Sequence, residues 1–297
     1  MYERIAANRW KSVLLVALVL GLAAAIGWLI GALFAWGIAG VVLALAIAVI
    51  MSLVSYLAGD RVVLAVSGAR PSTPQEHPRL HNIVDGLCIA AGMPKPRVHV
   101  IPEAAMNAFA TGRKPETASI AVTQGLLDGL SRVELEGVVA HELSHVKNRD
   151  VLFGTLVATL VGVVVLLAGF LRRGFLWGGM RVRGRLAPIG VLLVLFGLLF
   201  SLLAPLAAHL IRLAVSRRRE YLADADGALM TRYPPGLASA LRKIAEGPNQ
   251  MRAANNATAH LWFSQPSAVP GDGVSRLERL FSTHPPIPDR IKALQDM

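Results

Sequence analysis

The sequence contains a single cysteine, Cys88, among 297 residues. One cysteine cannot form a disulfide within the chain, and it cannot supply a cysteine-rich zinc cluster. Its neighbours, residues 87–91, are apolar (Leu-Cys-Ile-Ala-Ala). We therefore interpret Cys88 as a small core side chain and not as a reactive thiol.

Acidic residues are also scarce: 19 Asp and Glu stand against 30 Lys and Arg, which gives a formal net charge of +11. Such an excess fits nucleic-acid binding, attraction to anionic lipid, or the topology signals of a membrane protein. The basic residues are scattered, often beside apolar segments, and no RNA-binding motif accompanies them. This pattern favours a lipid bilayer as a partner and predicts no nucleic-acid ligand.

Charges of either sign are missing from several long segments. Ser12–Gly59 is 48 residues without a charge, enough for two helical spans of ~20 residues joined by a turn at Gly31–Gly37. This segment is several times too long for the apolar part of a signal peptide, so no cleaved leader is expected. Val151–Leu171 is a third candidate span, and Leu186–Ile211 is a fourth.

Two hairpins of spans would place the N-terminus and both polar parts of the chain, residues 58–150 and 212–297, on one side of a membrane. Basic residues near the span ends favour the cytoplasm for that side. Eleven lie there: Arg4, Arg9, Lys11, Arg61, Arg70, Lys147, Arg149, Arg212, Arg217, Arg218 and Arg219. Five arginines in the loop 172–185 lie opposite, which conflicts with this orientation, and the loop has no assigned role.

His141-Glu142-Leu143-Ser144-His145 is the most informative motif of the chain. On a helix, residues four apart lie on one face with Cβ atoms roughly 5–6 Å apart, so both imidazoles can reach one ion. Zinc accepts such ligands, and a Glu beside them can take a proton from its water. Ser131 and Glu134 form a capping box that would begin this helix. The alternative is a pair of surface histidines on a soluble helix.

A catalytic zinc site needs a third protein ligand, and Glu220 is the candidate on the same side of the membrane. Asp224 follows one helical turn later, so the Glu220 and Asp224 spacing mirrors that of His141 and His145. By spacing alone, an equally good alternative is that Glu220 pairs with the neighbouring arginines on a solvated surface.

Several motifs together resemble HtpX-type membrane zinc proteases, which are related to the CAAX prenyl proteases. The segment 216–224 (Ser-Arg-Arg-Arg-Glu-Tyr-Leu-Ala-Asp) and the segment 141–150 resemble two signatures of that family. Residues 107–112 (Asn-Ala-Phe-Ala-Thr-Gly) and 282–286 (Ser-Thr-His-Pro-Pro) resemble two more. Residues 76–80 and 257–261 also look familial, and the matches keep the family order from about residue 60 onward.

The resemblance implies a role for individual residues. It implies one Zn²⁺ ion held by His141, His145 and Glu220, with Glu142 as the general base and Asp224 as a carboxylate behind the ligands. His284 would stabilise the oxyanion, although a turn histidine before two prolines is the alternative. Asn107 would lie on an edge strand to which an extended substrate adds, with simple turn chemistry as its alternative. His77, His81, His99 and His260 have no ligand spacing and are interpreted as structural or surface residues.

The expected fold is mainly α, a multi-pass membrane protein with four transmembrane helices and a zincin-like α+β catalytic domain that carries a small β-sheet. Strands are predicted at 97–101 and 118–123, with 107–111 pairing to the latter across the turn 112–116, and helices at 80–91 and 123–130. The expected parts are an N-terminal transmembrane hairpin (1–59), a first catalytic part (60–150), a second hairpin (151–211) and a second catalytic part (212–297).

The function that follows is a membrane-bound zinc endopeptidase. The family resemblance implies quality control of misfolded or damaged membrane proteins in a bacterial inner membrane, with the catalytic domain in the cytoplasm. The alternatives are a CAAX-type prenyl-protein protease and a non-catalytic membrane scaffold that zinc stabilises. No oligomeric state is predicted.

Overall fold

The computed structural model of the chain describes residues 10, 12–21, 23–24, 27–28, 36–160, 217–247, 251, 258–264 and 285–297. Three predictions fall on residues outside these ranges: His284, the loop 172–185 and the fourth span at 186–211. The second half of the third span, residues 161–171, lies outside them as well.

The described residues are mostly helical with one small sheet, as the sequence predicts, and this sheet is mixed. The helices are α1 (Ser12–Gly21), α2 (Ile38–Val66), α3 (Pro78–Ala91), α4 (Gln124–Gly129), α5 (Arg132–Lys147), α6 (Asp150–Leu160), α7 (Arg217–Thr231), α8 (Pro234–Glu246) and α9 (Ile287–Gln295). The strands are β1 (Arg70–Pro71), β2 (Arg97–Ile101), β3 (Ala108–Thr111) and β4 (Ser119–Thr123). Short 3₁₀ turns lie at Pro115–Thr117 and Ala259–Leu261.

The sheet has the strand order β1-β2-β4-β3, so β3 is an edge strand. β3 and β4 pair antiparallel, which confirms the predicted hairpin, while β2 and β4 pair in parallel. Gly112 ends β3 with φ of +137°, and a Cβ there would lie 2.8 Å from the Cα of Ala118. Only glycine allows this turn, and the turn directs β3 back along β4.

Helix α5 is the centre of the core, and its capping box is confirmed by a hydrogen bond from the Ser131 N–H to Glu134 Oε2 (2.8 Å). Its apolar face contacts α3 and α8, with Leu135, Val138, Val139 and Leu143 fully buried. Cys88 is buried in the same cluster, and burial raises the pKa of its thiol to about 11. The interpretation of Cys88 as a core residue is therefore confirmed.

Helix α2 is 29 residues long with a mean hydropathy of 2.7 over its most apolar window. Within the described ranges, it is the one helix long and apolar enough to cross a membrane. It begins directly after Gly37, the last residue of the predicted turn, but continues beyond Gly59 to Val66. Four transmembrane helices were expected, and the described residues contain one clear span, with α1 and α6 as shorter apolar helices.

Glu134 connects the beginning of α5 to α8. Its carboxylate accepts hydrogen bonds from Ser239 Oγ (2.7 Å) and Lys243 Nζ (2.8 Å) in addition to the Ser131 N–H. Burial raises the pKa of Glu134, but these donors outweigh burial and lower it from 4.5 to about 2. Folding therefore stabilises the ionised carboxylate of Glu134 relative to the protonated form.

We expect Glu134→Gln to lower the free energy of unfolding at neutral pH by about 2 kcal/mol. Because the folded pKa is depressed, this contribution is complete above pH 4.5 and disappears as the pH falls towards about 2. Chemical denaturation measured across that range checks the prediction. Glu136→Gln, a partly exposed site on the same helix, should change little, and equal effects of the two substitutions would contradict it.

Candidate active site

His141 and His145 lie one turn apart on α5 and point to the same place. Their Nε2 atoms are 3.2 Å apart. His141 is 1% exposed, because Phe263 packs edge-on against its ring at 4.9 Å between ring centres. The helix geometry that the motif predicted is therefore present, and the two imidazoles converge below the surface.

Glu220 reaches both imidazoles from α7. Its Oε2 is 3.7 Å from Nε2 of His141, and its Oε1 is 3.6 Å from Nε2 of His145. Gly227 explains the close approach of α7 to α5, because a Cβ there would lie 3.0 Å from the backbone nitrogen of His141. Glu220, Asp224 and Gly227 recur at helical spacing, so this face of α7 is the one that α5 contacts.

These donor atoms have the spacing of a zinc site. Ligand atoms about 2.1 Å from a tetrahedral ion lie about 3.4 Å from one another, close to the separations of 3.2, 3.6 and 3.7 Å found here. Two imidazoles and one carboxylate form a set that leaves a fourth position for water. The residues therefore fit a catalytic zinc ion, and all their donor atoms lie within 4.8 Å of one another.

A carboxylate lies behind each imidazole. Nδ1 of His141 is 2.9 Å from Oδ1 of Asp224, and Nδ1 of His145 is 3.2 Å from Oδ2 of Asp150. Each Nδ1–H can donate to its carboxylate, which leaves the Nε2 lone pair directed at the shared point. In a metal-bound site these carboxylates would hold both rings in the neutral tautomer that a metal ligand requires.

Arg290, from α9, neutralises the buried acidic side of the site. Its Nε and Nη2 donate to the two oxygens of Asp224 at 2.8 and 2.7 Å, and its Nη1 lies 3.9 Å from Glu220. Burial raises the pKa of the Asp224 carboxyl, but the Arg290 guanidinium outweighs burial and holds it below its usual range. Nη1 also donates to the carbonyl oxygen of Phe263 at 3.3 Å.

The surroundings push the pKa values of the motif in different directions. Burial lowers the pKa of His141 to about 4. Burial also favours neutral His145, but the Asp150 hydrogen bond and the Glu220 charge outweigh it and raise that pKa to about 9. Burial raises the pKa of Glu142 to about 7, although His145 opposes the shift. A carboxylate with a pKa near neutrality is suited to accept and return a proton.

The cleft above these residues encloses about 60 Å³, enough for an ion and a few water molecules. Ala110 of β3 forms one wall, α5 and α7 form the floor, and the segment 260–263 forms another wall. The backbone N–H of Ala110 is near enough to the Glu142 carboxylate to oppose the rise in its pKa. The general-base candidate therefore lies between the metal ligands and an edge strand.

Comparison with known proteins identifies the family of this site. Residues 74–297, most of the chain, match the family described as Peptidase family M48. The chain belongs to peptidase family M48. It is therefore a metallopeptidase, and peptidases of the M48 family depend on zinc in general.

Relatives of the M48 chain extend over its whole length. A protein named Protease HtpX homolog from Thermoanaerobacter pseudethanolicus is 44% identical over 299 residues, which cover 100% of this chain and 98% of that protein. A protein of the same name from Pyrococcus furiosus is 46% identical, with 95% of this chain and 93% of that protein covered. The resemblance to HtpX-type proteases is confirmed.

A solved structure shows the same fold. The crystal structure of S. mikatae Ste24p matches with a TM-score of 0.50 and 18% identity, over 99% of this chain and 67% of that chain. At this level of identity the likeness concerns the fold alone. It supports a common overall arrangement of helices in the two chains.

The side chain of Asn107 lies outside the M48 cleft. It is 1% exposed, donates from Nδ2 to the Ser264 carbonyl oxygen at 2.7 Å, and accepts from the Ser264 N–H at 3.0 Å. Phe263 N–H donates to the Ala108 carbonyl oxygen at 2.8 Å. Asn107 therefore holds the cleft wall 262–264 against β3. The residue lies just before the edge strand, which begins at Ala108.

Two parts of the M48 site were missing from the sequence interpretation: Asp150 and Arg290, which complete the polar contacts behind the ligands. His260, interpreted as structural or at the surface, is buried in the cleft wall. Asp150 follows His145 by five residues, just after the helix ends, which was an available signal. Nothing in the local sequence around Arg290 indicates a contact with Asp224, 66 residues earlier.

Proposed function

We propose that the chain is a membrane-bound zinc endopeptidase that uses His141, His145 and Glu220 as ligands of one ion and Glu142 as general base. The convergence of these three donors beside a buried carboxylate is the observation that carries the proposal. Zinc in such a site supplies a water of lowered pKa and a Lewis acid for the scissile carbonyl. Protein substrates follow from the peptidase family, and their nature belongs to the proposal.

The chain's own residues then handle the proton and the orientation of the ligands. Glu142 accepts a proton as water attacks and returns it to the leaving nitrogen. Asp224 and Asp150 keep both imidazoles oriented, and Arg290 balances the buried negative charge. His284, two residues before Pro286 at the beginning of α9, is proposed as the oxyanion donor through the family resemblance.

An extended substrate is proposed to add to the outer edge of β3 at Ala110, beyond the Ala108 carbonyl that Phe263 already contacts. The Asn107 carbonyl oxygen accepts from the Thr123 N–H of β4 at 3.0 Å, and the Asn107 N–H donates to Thr123 Oγ1 at 2.9 Å. The Ala108 carbonyl oxygen instead faces outward and accepts from the Phe263 N–H at 2.8 Å. Ala110, two residues further, therefore faces outward as well and lines the cleft. A peptide strand along this edge would place its carbonyl above Glu142, and Asn107 would act indirectly by holding the cleft wall.

A membrane location is supported by the surface of α2. Its large apolar side chains are about half exposed or more, which is unfavourable in water over such an area but suits lipid: Ile38, Val42, Leu43, Ile47, Val49, Ile50, Leu53, Val54 and Leu57. Its opposite face carries small residues, and a Cβ on Gly59 would lie 3.0 Å from Thr155 of α6. Small residues that allow close packing are typical of helix contacts inside membranes.

We further propose four spans, with the parts 1–59 and 151–211 as transmembrane hairpins and the parts 60–150 and 212–297 as one catalytic domain on the cytoplasmic side of a bacterial inner membrane. The continuation of α2 to Val66 would carry this helix out of the bilayer and into the catalytic domain. Because α6 begins five residues after His145, membrane proteins that emerge from the bilayer would meet the site directly. Misfolded or damaged membrane proteins are the proposed substrates.

The proposal is tested with the purified full chain in neutral detergent. We expect about one zinc ion per chain by elemental analysis, cleavage of casein, loss of cleavage on chelation and its recovery with zinc. A zinc-loaded protein that cleaves neither casein nor a prenylated peptide would favour a scaffold. Cleavage restricted to the prenylated peptide would favour a CAAX-type protease, and activity that persists after complete zinc removal would contradict the metal site.

Asp150 gives a quantitative test of the arrangement behind the ligands. Asp150→Asn removes the charge that His145 Nδ1–H faces at 3.2 Å, so we expect zinc affinity to fall about 10–100-fold. Competition with a chromogenic chelator measures this. Asp226→Asn is the control, because Asp226 lies on α7 and accepts from Asn148 at 2.8 Å without contacting a ligand. An affinity unchanged in Asp150→Asn would contradict the assignment.

A further inference from the structure

A second cavity, of about 190 Å³, lies away from the active site, where α2 leaves its apolar section. The end of α2, the beginning of α6, the first residue of β2 and the turn between β3 and β4 enclose it. We call it the α2–turn cavity. Its volume is below the ~300–1,000 Å³ of sites that take a whole small molecule, so it suits one polar group of a larger ligand.

The α2–turn cavity is apolar or hydroxyl-lined on one side and charged on the other. Tyr56, Leu57 and Leu152 form the first side together with Ser55 and Thr155. The charged side begins at Asp60, the first charged residue after 48 uncharged positions. A boundary of this kind on a spanning helix lies at the level of the lipid headgroups.

The charged side has a surplus of positive charge. Arg97 Nη2 is 2.6 Å from Asp60 Oδ2, and Glu116 Oε2 is 3.8 Å from Lys114 Nζ, so both carboxylates of the cavity already have a cationic partner. Arg61 and Arg113 remain, and neither has a carboxylate within 4.0 Å in the part of the chain that the structure describes. Two guanidinium groups facing one polar cavity attract an anion.

Arg113 also has the contact expected of a residue at a membrane surface. Its guanidinium carbon is 5.3 Å from the centre of the Tyr56 ring. Tyrosine is enriched at the interface between lipid and water, and an arginine over its ring keeps its N–H groups available for a second partner. Basic cavities between membrane helices at this level bind phospholipid headgroups.

We propose that the α2–turn cavity binds the phosphodiester headgroup of an anionic bilayer phospholipid, with Arg61 and Arg113 contacting the phosphate. The proposal goes beyond the peptidase activity and rests on the proposed membrane location. The acyl chains would leave past Tyr56 and Leu57 along the exposed apolar face of α2. A phosphodiester carries the anionic oxygens that arginine recognises.

The cavity is connected to the edge strand of the active site. Thr155, in its wall, hydrogen-bonds with its Oγ1 to Thr111 Oγ1 at 2.9 Å and accepts from the Gly112 N–H at 3.3 Å. Thr111 ends β3 and Gly112 follows it, and Ala110 of the same strand lines the active-site cleft together with Glu142. A lipid that fixes Arg113 next to Gly112 would therefore hold the substrate edge in place, and anionic lipid is expected to increase cleavage.

The test compares lipid binding by the wild type, the double variant Arg61→Ala/Arg113→Ala, and Arg70→Ala. Arg70 is exposed on β1 and carries the same charge, but it neither lines the cavity nor pairs with one of its carboxylates. Each protein, in neutral detergent without substrate, is titrated with phosphatidylglycerol or phosphatidylcholine, and bound lipid is counted by native mass spectrometry. We expect phosphatidylglycerol affinity to fall about fivefold for each cavity arginine removed, since a basic residue at a lipid surface contributes about 1 kcal/mol.

Arg70→Ala should bind phosphatidylglycerol like the wild type, and phosphatidylcholine should bind weakly to all three proteins. Equal binding by the double variant, or equal loss in Arg70→Ala, would overturn the proposal. Displacement of the lipid by millimolar inorganic phosphate would also overturn it, by assigning the cavity to free phosphate. Because binding is measured without proteolysis, a chain that fails to cleave casein still tests the cavity. Casein cleavage in liposomes with and without phosphatidylglycerol then tests the connection to β3.

Discussion

Glu142→Gln is expected to lower the rate of peptide cleavage by about 10²–10⁴-fold while the zinc content stays unchanged. The amide has the shape of the carboxylate but cannot accept a proton from water at neutral pH. Glu142 is 2% exposed and is not one of the three donors that converge, so its replacement leaves the metal ligands in place. Steady-state cleavage of casein and elemental analysis of the same samples measure the two quantities.

A matched control is available on the same helix. Glu136→Gln makes the same chemical change at a partly exposed position of α5 outside the cleft, so activity should remain within about twofold of the wild type. Retained turnover in zinc-loaded Glu142→Gln would show that Glu142 is not the general base. Loss of zinc from that variant would instead place the carboxylate among the ligands, and this too would contradict the assignment.

The pH dependence of this reaction should reflect the two environments that the site creates. Glu142 is buried with an elevated pKa, whereas Asp224 is buried with a lowered one because Arg290 faces it. Two carboxylates within one site are thus separated into a proton carrier and a permanently ionised partner. The two carboxylates differ because Arg290 of α9 faces Asp224, whereas burial dominates at Glu142. The residue types alone do not predict this difference.

Local patterns predicted the elements that surround the site. The capping box at Ser131 and the two histidines on one face of α5 depend on contacts within a few residues, so the sequence contains the information directly. The hairpin of β3 and β4 was likewise predicted from two short strand candidates on either side of a turn that begins with glycine. The approach of Glu220 to His141 is different, because the sequence spacing left surface pairing with arginines equally good.

Long-range contacts were the part that the sequence did not reveal. The parallel pairing of β2 with β4 and the two-residue strand β1 depend on the packing of the sheet against other elements, and neither has a local pattern. Asn107 was placed on an edge strand, yet its amide contacts Ser264, 157 residues later. Residues that act through partners this distant in sequence become visible only when the fold brings the partners together.

Arg290 is the clearest example, and its removal should have the second large effect. Arg290 and Asp224 are each 1% exposed and form a two-point ion pair, so Arg290→Met leaves a buried carboxylate without its partner. We expect a loss of about 3–5 kcal/mol in the free energy of unfolding. Zinc affinity should fall about 10–100-fold, because Asp224 then no longer orients His141 reliably.

A double variant separates the two effects. In Arg290→Met/Asp224→Asn the buried charge is gone with its partner, so much of the lost stability should return. Zinc affinity should stay low, because the neutral amide is a weaker acceptor for the His141 Nδ1–H than the carboxylate. Thermal unfolding with and without zinc, together with chelator competition, measures both. Arg242→Met, at an exposed position of α8, serves as the control. Equal stability of Arg290→Met and Arg242→Met would show that the ion pair does not hold α9 against the site. Full zinc affinity in the double variant would show that the charge of Asp224 does not orient His141.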